Sequence, residues 1–249
     1  MLKLFLASVV LSASLLAGEI SVAVAANLSD AIESLKSEFA KTNPNTKVNT
    51  VLGASGKLTT QIKNGAPFDL FFSADMKFPE SLYAEQIAIT KPVVYASGAL
   101  AMVSTKGLDL SKGIALLDDP KVEKVAIANP KTAPYGTASI EAFKNAKLFE
   151  KVEPKLVQGD SISQALQFSL TAADVGFVNA SAFYSDKMKA YKKGVQWVDV
   201  DPKLYTPIAQ GIVLLKQAEK NSEAKAFYDF VLSVKAKAIF KNYGYLVNE

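Results

Sequence analysis

The chain of 249 residues contains no histidine and no cysteine, and its 28 basic side chains, all of them lysine, stand against 24 carboxylates for a formal charge of +4. Those absences remove imidazole acid/base chemistry, His-dependent triads, thiolate nucleophiles, thiolate or imidazole metal sites and disulfides. A 49% hydrophobic content is enough for a buried core in one or two domains, and charges of both signs scattered along the chain lack the basic stripe that nucleic acid demands.

The chain opens on MLKLFLASVVLSASLLA, in which Lys3 precedes an uncharged apolar run ending in small residues. This is the layout of a secretory signal peptide, so residues 1–18 are expected to be a leader and the mature protein to be exported to the periplasm. The run is shorter than the ~20 residues that a membrane-spanning helix needs. Leu15-Leu16-Ala17-Gly18 resembles the start of a lipoprotein processing site, but Glu19 stands where the lipidated cysteine would be, and no lipid anchor is expected.

From Glu19 onward short apolar runs alternate with amphipathic segments. Ile20 to Ala26 reads as a strand, and in the helix predicted for Leu28 to Ala40 the residues Leu28, Ala31, Ile32, Leu35 and Phe39 share one face. The pattern repeats as Val48 to Leu52 into Leu58 to Lys63, Val125 to Ala128 into Ala138 to Ala146, and Lys155 to Val157 into Ile162 to Thr171. Ala173 to Val178 is a further strand, and Glu223 to Tyr243 closes the chain as one or two helices. Such crossovers predict an α/β fold with parallel sheets covered on both faces. Gly98 to Ser104 and Ile208 to Leu215, which follows Pro207, are candidate strands passing between lobes. If both do so, 19–97 joined with 208–249 form one lobe and 98–207 the other.

Little is left for covalent chemistry. Gly53-Ala54-Ser55-Gly56-Lys57 fails as a phosphate-binding P-loop because Val51 and Leu58 occupy positions that require Gly and Ser or Thr. Ser222-Glu223-Ala224-Lys225 has a nucleophile-like spacing, but a serine opening a charged helix reads as an N-cap. Asp118-Asp119 and Asp199 with Asp201 sit beside prolines and read as solvated turns. Four strand ends remain: Asn27-Leu28-Ser29, Ala54-Ser55-Gly56, Ala133-Pro134-Tyr135-Gly136 and Asp160-Ser161-Ile162. Each hands over to a helix whose first N–H groups lack intrahelical acceptors, so each is either a simple cap or part of an anion site at the carboxyl ends of the strands.

Four stretches carry a family resemblance: Ala25-Ala26-Asn27-Leu28-Ser29-Asp30-Ala31, Gly53 to Leu58, Gly65-Ala66-Pro67-Phe68-Asp69-Leu70-Phe71-Phe72-Ser73-Ala74-Asp75, and Ile239-Phe240-Lys241-Asn242-Tyr243-Gly244-Tyr245. In their order and spacing the chain resembles the periplasmic molybdate-binding proteins of ABC importers. The resemblance implies a type II periplasmic binding protein fold, two α/β lobes with a ligand cleft between them, and capture of molybdate or tungstate for a membrane permease, with no enzyme activity and no cofactor. It implies a monomer, binding no nucleic acid. The family's oxyanion site falls on Asn27, where most members have Ser, on Ser55, on the backbone N–H groups of Tyr135 and Ile162, and on Asn179, where a Tyr is frequent. These residues would hold molybdenum only through its oxygens, and the Tyr135 hydroxyl would be dispensable. Asp69 and Asp75 are read as fixing a strand end, since a carboxylate facing a dianion would be repelled. Binding of another oxyanion such as tungstate alone or sulfate, an exported hydrolase, and a structural surface protein are the competing readings.

Overall fold

The computed structural model describes residues 18–247; of the expected leader 1–18, residues 1–17 lie outside them, and Gly18 is the first residue of a strand. In chain order the elements are β1 (Gly18–Ala25), α1 (Ala31–Ala40), β2 (Thr46–Gly53), α2 (Ser55–Lys63), β3 (Leu70–Phe72), α3 (Lys77–Ala84), β4 (Val93–Gly98), β5 (Leu100–Val103), β6 (Val125–Ala128), α4 (Pro134–Asn145), α5 (Phe149–Val152), β7 (Leu156–Gly159), α6 (Ile162–Thr171), β8 (Val175–Asn179), β9 (Trp197–Asp199), β10 (Ile208–Leu214), α7 (Ser222–Val231) and α8 (Val234–Asn242). Short 3₁₀ turns link several of them, including Ala26–Leu28 after β1.

Two lobes result, each built on a five-stranded sheet. The first sheet has the order β2-β1-β3-β10-β4 and the second β7-β6-β8-β5-β9. Successive residues of β1 point to opposite faces. Ile20, Val22 and Val24 accordingly join α1, α7 and α8 in one core, whereas Ala23 joins Leu58 and Ile62 of α2 on the other side. Phe39 and Phe227 meet edge to face at 5.0 Å in the first core, and Phe143 and Phe177 do so at 4.7 Å in the second lobe. Burial on both faces is why these strands read as unbroken apolar runs.

The sheets are mixed where parallel ones were expected. β1, β2 and β3 run parallel, but β10 is antiparallel to both β3 and β4, and β5 is antiparallel to β8 and β9. The reason is the passage between lobes: β5 and β10 enter their sheets from the other lobe instead of from a helical crossover. Gly98 to Ser104 is two strands and not one, because β4 ends in the first sheet and β5 begins in the second, with Ala99 between them. The helix expected from Leu28 is interrupted at Ser29 and Asp30, and the regular turns begin at Ala31. Ser222 is not the cap of α7; Asn221 is, with its side chain accepting from the Ala224 N–H, and Ser222 Oγ pairs with Glu223 at 3.0 Å.

The carboxyl ends of β1 and β2 face those of β6 and β7 across the cleft. Gly56 N–H donates to the Thr132 carbonyl at 2.8 Å and Ser163 Oγ to the Ala26 carbonyl at 3.2 Å, while Lys57 and Asp160 form an exposed ion pair at 3.0 Å. Gly56 allows this approach, since a Cβ there would sit 3.0 Å from Thr132 Cα.

Candidate functional site

Where the strand ends converge, a small cavity of about 10 Å³ is lined by residues of both lobes, among them Asn27, Ser55, Ala74, Pro134, Tyr135 and Ile162. No charged side chain lines it. A larger, mostly apolar groove of about 360 Å³ adjoins it between Phe78, Pro134 and Pro207. The carboxylates Asp75 and Glu141 also line that groove and would repel a dianion, so size alone does not make it the site.

The sequence left open whether each strand-end turn is a cap or a ligand contact. Ser55 is the first residue of α2, and the N-cap is Ala54, which makes no side-chain bond. The Ser55 hydroxyl therefore does not cap its own helix. Its oxygen accepts from the Ala74 N–H at 3.0 Å, and the hydroxyl proton remains available on a side chain that is 1% exposed. Tyr135 and Ile162 open α4 and α6, where N–H groups have no acceptor within the helix. Both helices direct the positive ends of their dipoles at the cavity. Ser161 does cap α6, accepting from the Gln164 N–H at 3.3 Å, which leaves the Ile162 N–H unused by the cap.

Asn27 lies in the 3₁₀ turn after β1, 5% exposed. Its Nδ2 donates to Gln210 Oε1 at 2.9 Å and to Tyr245 Oη at 3.0 Å, and its Oδ1 has no partner. Asn179, at the end of β8, is not part of the lining; its amide donates to Ser181 Oγ at 2.7 Å and reaches the Asn27 carbonyl at 3.4 Å. The structure thus brings Asn27, Ser55, Tyr135 and Ile162 together around one space and sets Asn179 behind Asn27.

Behind the cavity runs a polar network that no sequence motif disclosed. Gln210, fully buried in the apolar run of β10, accepts from Asn27 and from Tyr95 Oη at 2.8 Å and donates through Nε2 to Tyr135 Oη at 3.2 Å. Tyr245 Oη donates to the Asn27 carbonyl at 2.8 Å, and Ser181 Oγ lies 2.9 Å from the same hydroxyl. A glutamine inside an otherwise apolar strand was the available signal. Burial pushes the phenols of Tyr95, Tyr135 and Tyr245 upward, so they remain neutral donors near neutral pH.

Asp69 and Asp75 lie outside the lining. Asp69 accepts from the Ser21 N–H at 2.7 Å and from Asn221 at 3.2 Å. Asp75 accepts from Ser73 Oγ at 2.9 Å and the Phe78 N–H at 3.2 Å, and burial raises its carboxyl against those bonds. Both hold the ends of β3 in place.

A family model described as bacterial extracellular solute-binding protein matches residues 20–246. The chain is 40% identical over 233 residues to the molybdate-binding protein ModA of Rhodobacter capsulatus, covering 92% of this chain and 89% of that one. It is 38% identical to the ModA of Azotobacter vinelandii, over 92% of this chain and 90% of the other. The solved periplasmic molybdate-binding protein of Azotobacter vinelandii superposes with a TM-score of 0.85 at 31% identity, over 92% of this chain and 100% of that one.

Proposed function

The chain belongs to the bacterial extracellular solute-binding proteins, in the family of the molybdate-binding relatives, and from that premise we propose that it captures molybdate or tungstate in the periplasm and delivers it to the permease of an ABC importer. The observation that carries this reading is the uncharged cavity lined by donors from both lobes. A tetrahedral dianion placed there would accept from Ser55 Oγ, from the N–H groups of Tyr135 and Ile162, and from Asn27. Each of these charge-assisted bonds gains from exclusion of water, and the helix dipoles offset the ligand's charge without a buried lysine. Asn179 then supports Asn27 and need not touch the anion. Molybdenum is held only through its oxygens.

On this reading the lobes are 19–97 with 208–249, and 98–207, a division supported by the passage between sheets at Ala99 and by β10 entering the first sheet after Pro207. Binding closes them about that hinge. The protein is a monomeric carrier and not a catalyst, without a cofactor and without nucleic acid as a partner. Cavity size selects among oxyanions, because sulfate is smaller than molybdate and does not reach every donor at once. Thermal unfolding against a panel of oxyanions tests this. Saturating molybdate or tungstate should add ~3 to 4 kcal/mol of stability. An unmoved unfolding midpoint with both, or a larger shift with sulfate, would overturn the assignment.

A further inference from the structure

The closing segment Tyr243–Leu246 is far along the chain from the cavity, yet each of its residues is fastened. Tyr243 Oη lies 2.8 Å from Ser34 Oγ of α1. The Ser97 N–H donates to the Leu246 carbonyl at 2.7 Å and the Leu246 N–H to the Ser97 carbonyl at 2.9 Å, at the free edge of β4 and two residues before the chain passes to the second sheet at Ala99. Gly244 takes φ +73, and a Cβ there would sit 2.5 Å from the ring of Tyr184 in the second lobe, so glycine lets the segment run against that ring. Tyr245 is buried, and its ring meets Phe240 edge to face at 5.9 Å in the first core. A phenol held by its own packing, in a segment pinned on both sides of it, carries its hydroxyl at a fixed place.

That hydroxyl has one proton to give and two lone pairs to offer. The Asn27 main-chain oxygen, 2.8 Å away, can only accept, so the phenol donates to it. Its own oxygen is left to accept from the Ser181 hydroxyl at 2.9 Å, and the Asn27 side-chain amide lies 3.0 Å away. Ser181 sits in the turn that follows β8 in the second lobe. One atom thus fixes the main chain of a cavity-lining residue of the first lobe and receives a bond from the second, while Tyr245 itself stays outside the lining. We propose that Tyr245 is a positioning residue for oxyanion capture: its hydroxyl holds the turn at Asn27 in register with the second lobe, so that the closing segment sets the donor geometry of the first wall and the firmness of closure. This rests on the reading of the cavity as an oxyanion site. Without the hydroxyl, the Asn27 carbonyl and the Ser181 hydroxyl lose a shared partner, and the turn that presents Asn27 loses its tie to the closing segment. Release of a bound anion has to part the lobes and with them the Ser181 bond, so the loss falls mainly on the release rate.

Calorimetric titration with sodium molybdate, stopped-flow release and thermal melts test this on Tyr245→Phe, Ser181→Ala, the double variant and Tyr243→Phe. Tyr243 is the control, because its hydroxyl belongs to the same segment but bonds Ser34 instead of Asn27 or Ser181. Tyr245→Phe should weaken molybdate binding about tenfold, chiefly through faster release, and Ser181→Ala about threefold. The double variant should bind no more weakly than Tyr245→Phe alone, since both substitutions break the same bond. Tyr243→Phe should lower the unfolding midpoint comparably and leave affinity within about twofold. Equal affinity changes in the two tyrosine variants, or losses that multiply in the double variant, would overturn the positioning role and leave the binding function standing. Ser181→Ala decides alone if Tyr245→Phe does not fold, an unchanged release rate then overturning the proposal. No saturable heat with the unsubstituted protein would overturn the oxyanion reading and the positioning role with it.

Discussion

The two walls of the cavity do the same chemical work with different materials. The first lobe presents side chains, Ser55 and Asn27, backed by Gln210, Tyr95 and Tyr245. The second presents backbone, with the Tyr135 and Ile162 side chains buried in a core cluster that also takes in Ala25, Ala26, Ala54 and Ala74 of the first lobe. In one wall the donor is written in residue identity; in the other it is written in where a helix begins. Selectivity can therefore evolve by substitution on the first wall, whereas the second is altered only by moving α4 or α6.

The sharpest way to break that contrast is to remove one element from each wall. Ser55→Ala deletes a hydroxyl donor to a buried charge and should cost ~1.5 to 3 kcal/mol of molybdate affinity, about 10- to 150-fold. Ile162→Ala keeps its N–H and should cost under about 0.5 kcal/mol of affinity, although it loses stability through the packing it gives up. Calorimetric titration of both variants checks this, and equal affinity losses would mean that the walls are not made differently.

A smaller effect separates the two ends of Tyr135. Read from the sequence, its hydroxyl is dispensable because only its N–H faces the ligand. That reading concerns affinity; for stability the hydroxyl counts, since Tyr135 Oη accepts from the buried Gln210 Nε2. Tyr135→Phe strands that donor and should lower unfolding stability by ~1 to 2 kcal/mol. Molybdate affinity should move by less than about threefold, because the hydroxyl points at Gln210, outside the lining. Parallel denaturant melts and titrations distinguish the outcomes, and a large affinity loss at unchanged stability would place the hydroxyl in the site itself.

The same contrast explains what could be read without a structure. Helix α6 was legible at its observed bounds because Ser161, an ordinary capping residue, precedes an amphipathic run. The starts of α2 and α4 were set three and four residues late, because Ser55-Gly56 and Pro134-Tyr135-Gly136 look like loop when only apolar spacing is counted. Of those ambiguous residues, Ser55, Pro134 and Tyr135 line the cavity. Ala54 and Ala133 supply no side-chain cap, so nothing in the local sequence announced the starts of α2 and α4 as Ser161 announced that of α6. The strands β3 and β9 were missed because three residues carry no periodicity. Gln210 and Tyr245 were invisible as partners because 183 and 218 positions of sequence separate them from Asn27, on whose amide they converge.

The smallest expected effect is pH dependence, and it tests both walls together. Among the cavity-lining residues none carries a side chain that titrates near neutrality, and the buried tyrosines are pushed further from it. Molybdate affinity should change by less than about twofold between pH 6 and 8. The group to watch is Asp75, next to the Ala74 whose N–H holds Ser55. Its folded pKa is raised by burial, so the stability it contributes is complete below the ordinary carboxylate value and is lost as pH rises through the raised one. A slope in affinity that disappears in Asp75→Asn would trace to this carboxyl; a slope that survives would reveal a titrating group in the wall. Phosphate sharpens the test, because near neutral pH much of it keeps a proton that a wall of donors cannot accept. Asn27 Oδ1 is a buried acceptor without a partner on a residue of the lining. Poor displacement of molybdate by excess phosphate at both pH 6 and pH 8 is expected if the filled cavity is donor-only. Strong displacement would mean that the first wall keeps its carbonyl turned inward, and that its side chains bind a protonated anion as readily as a bare one.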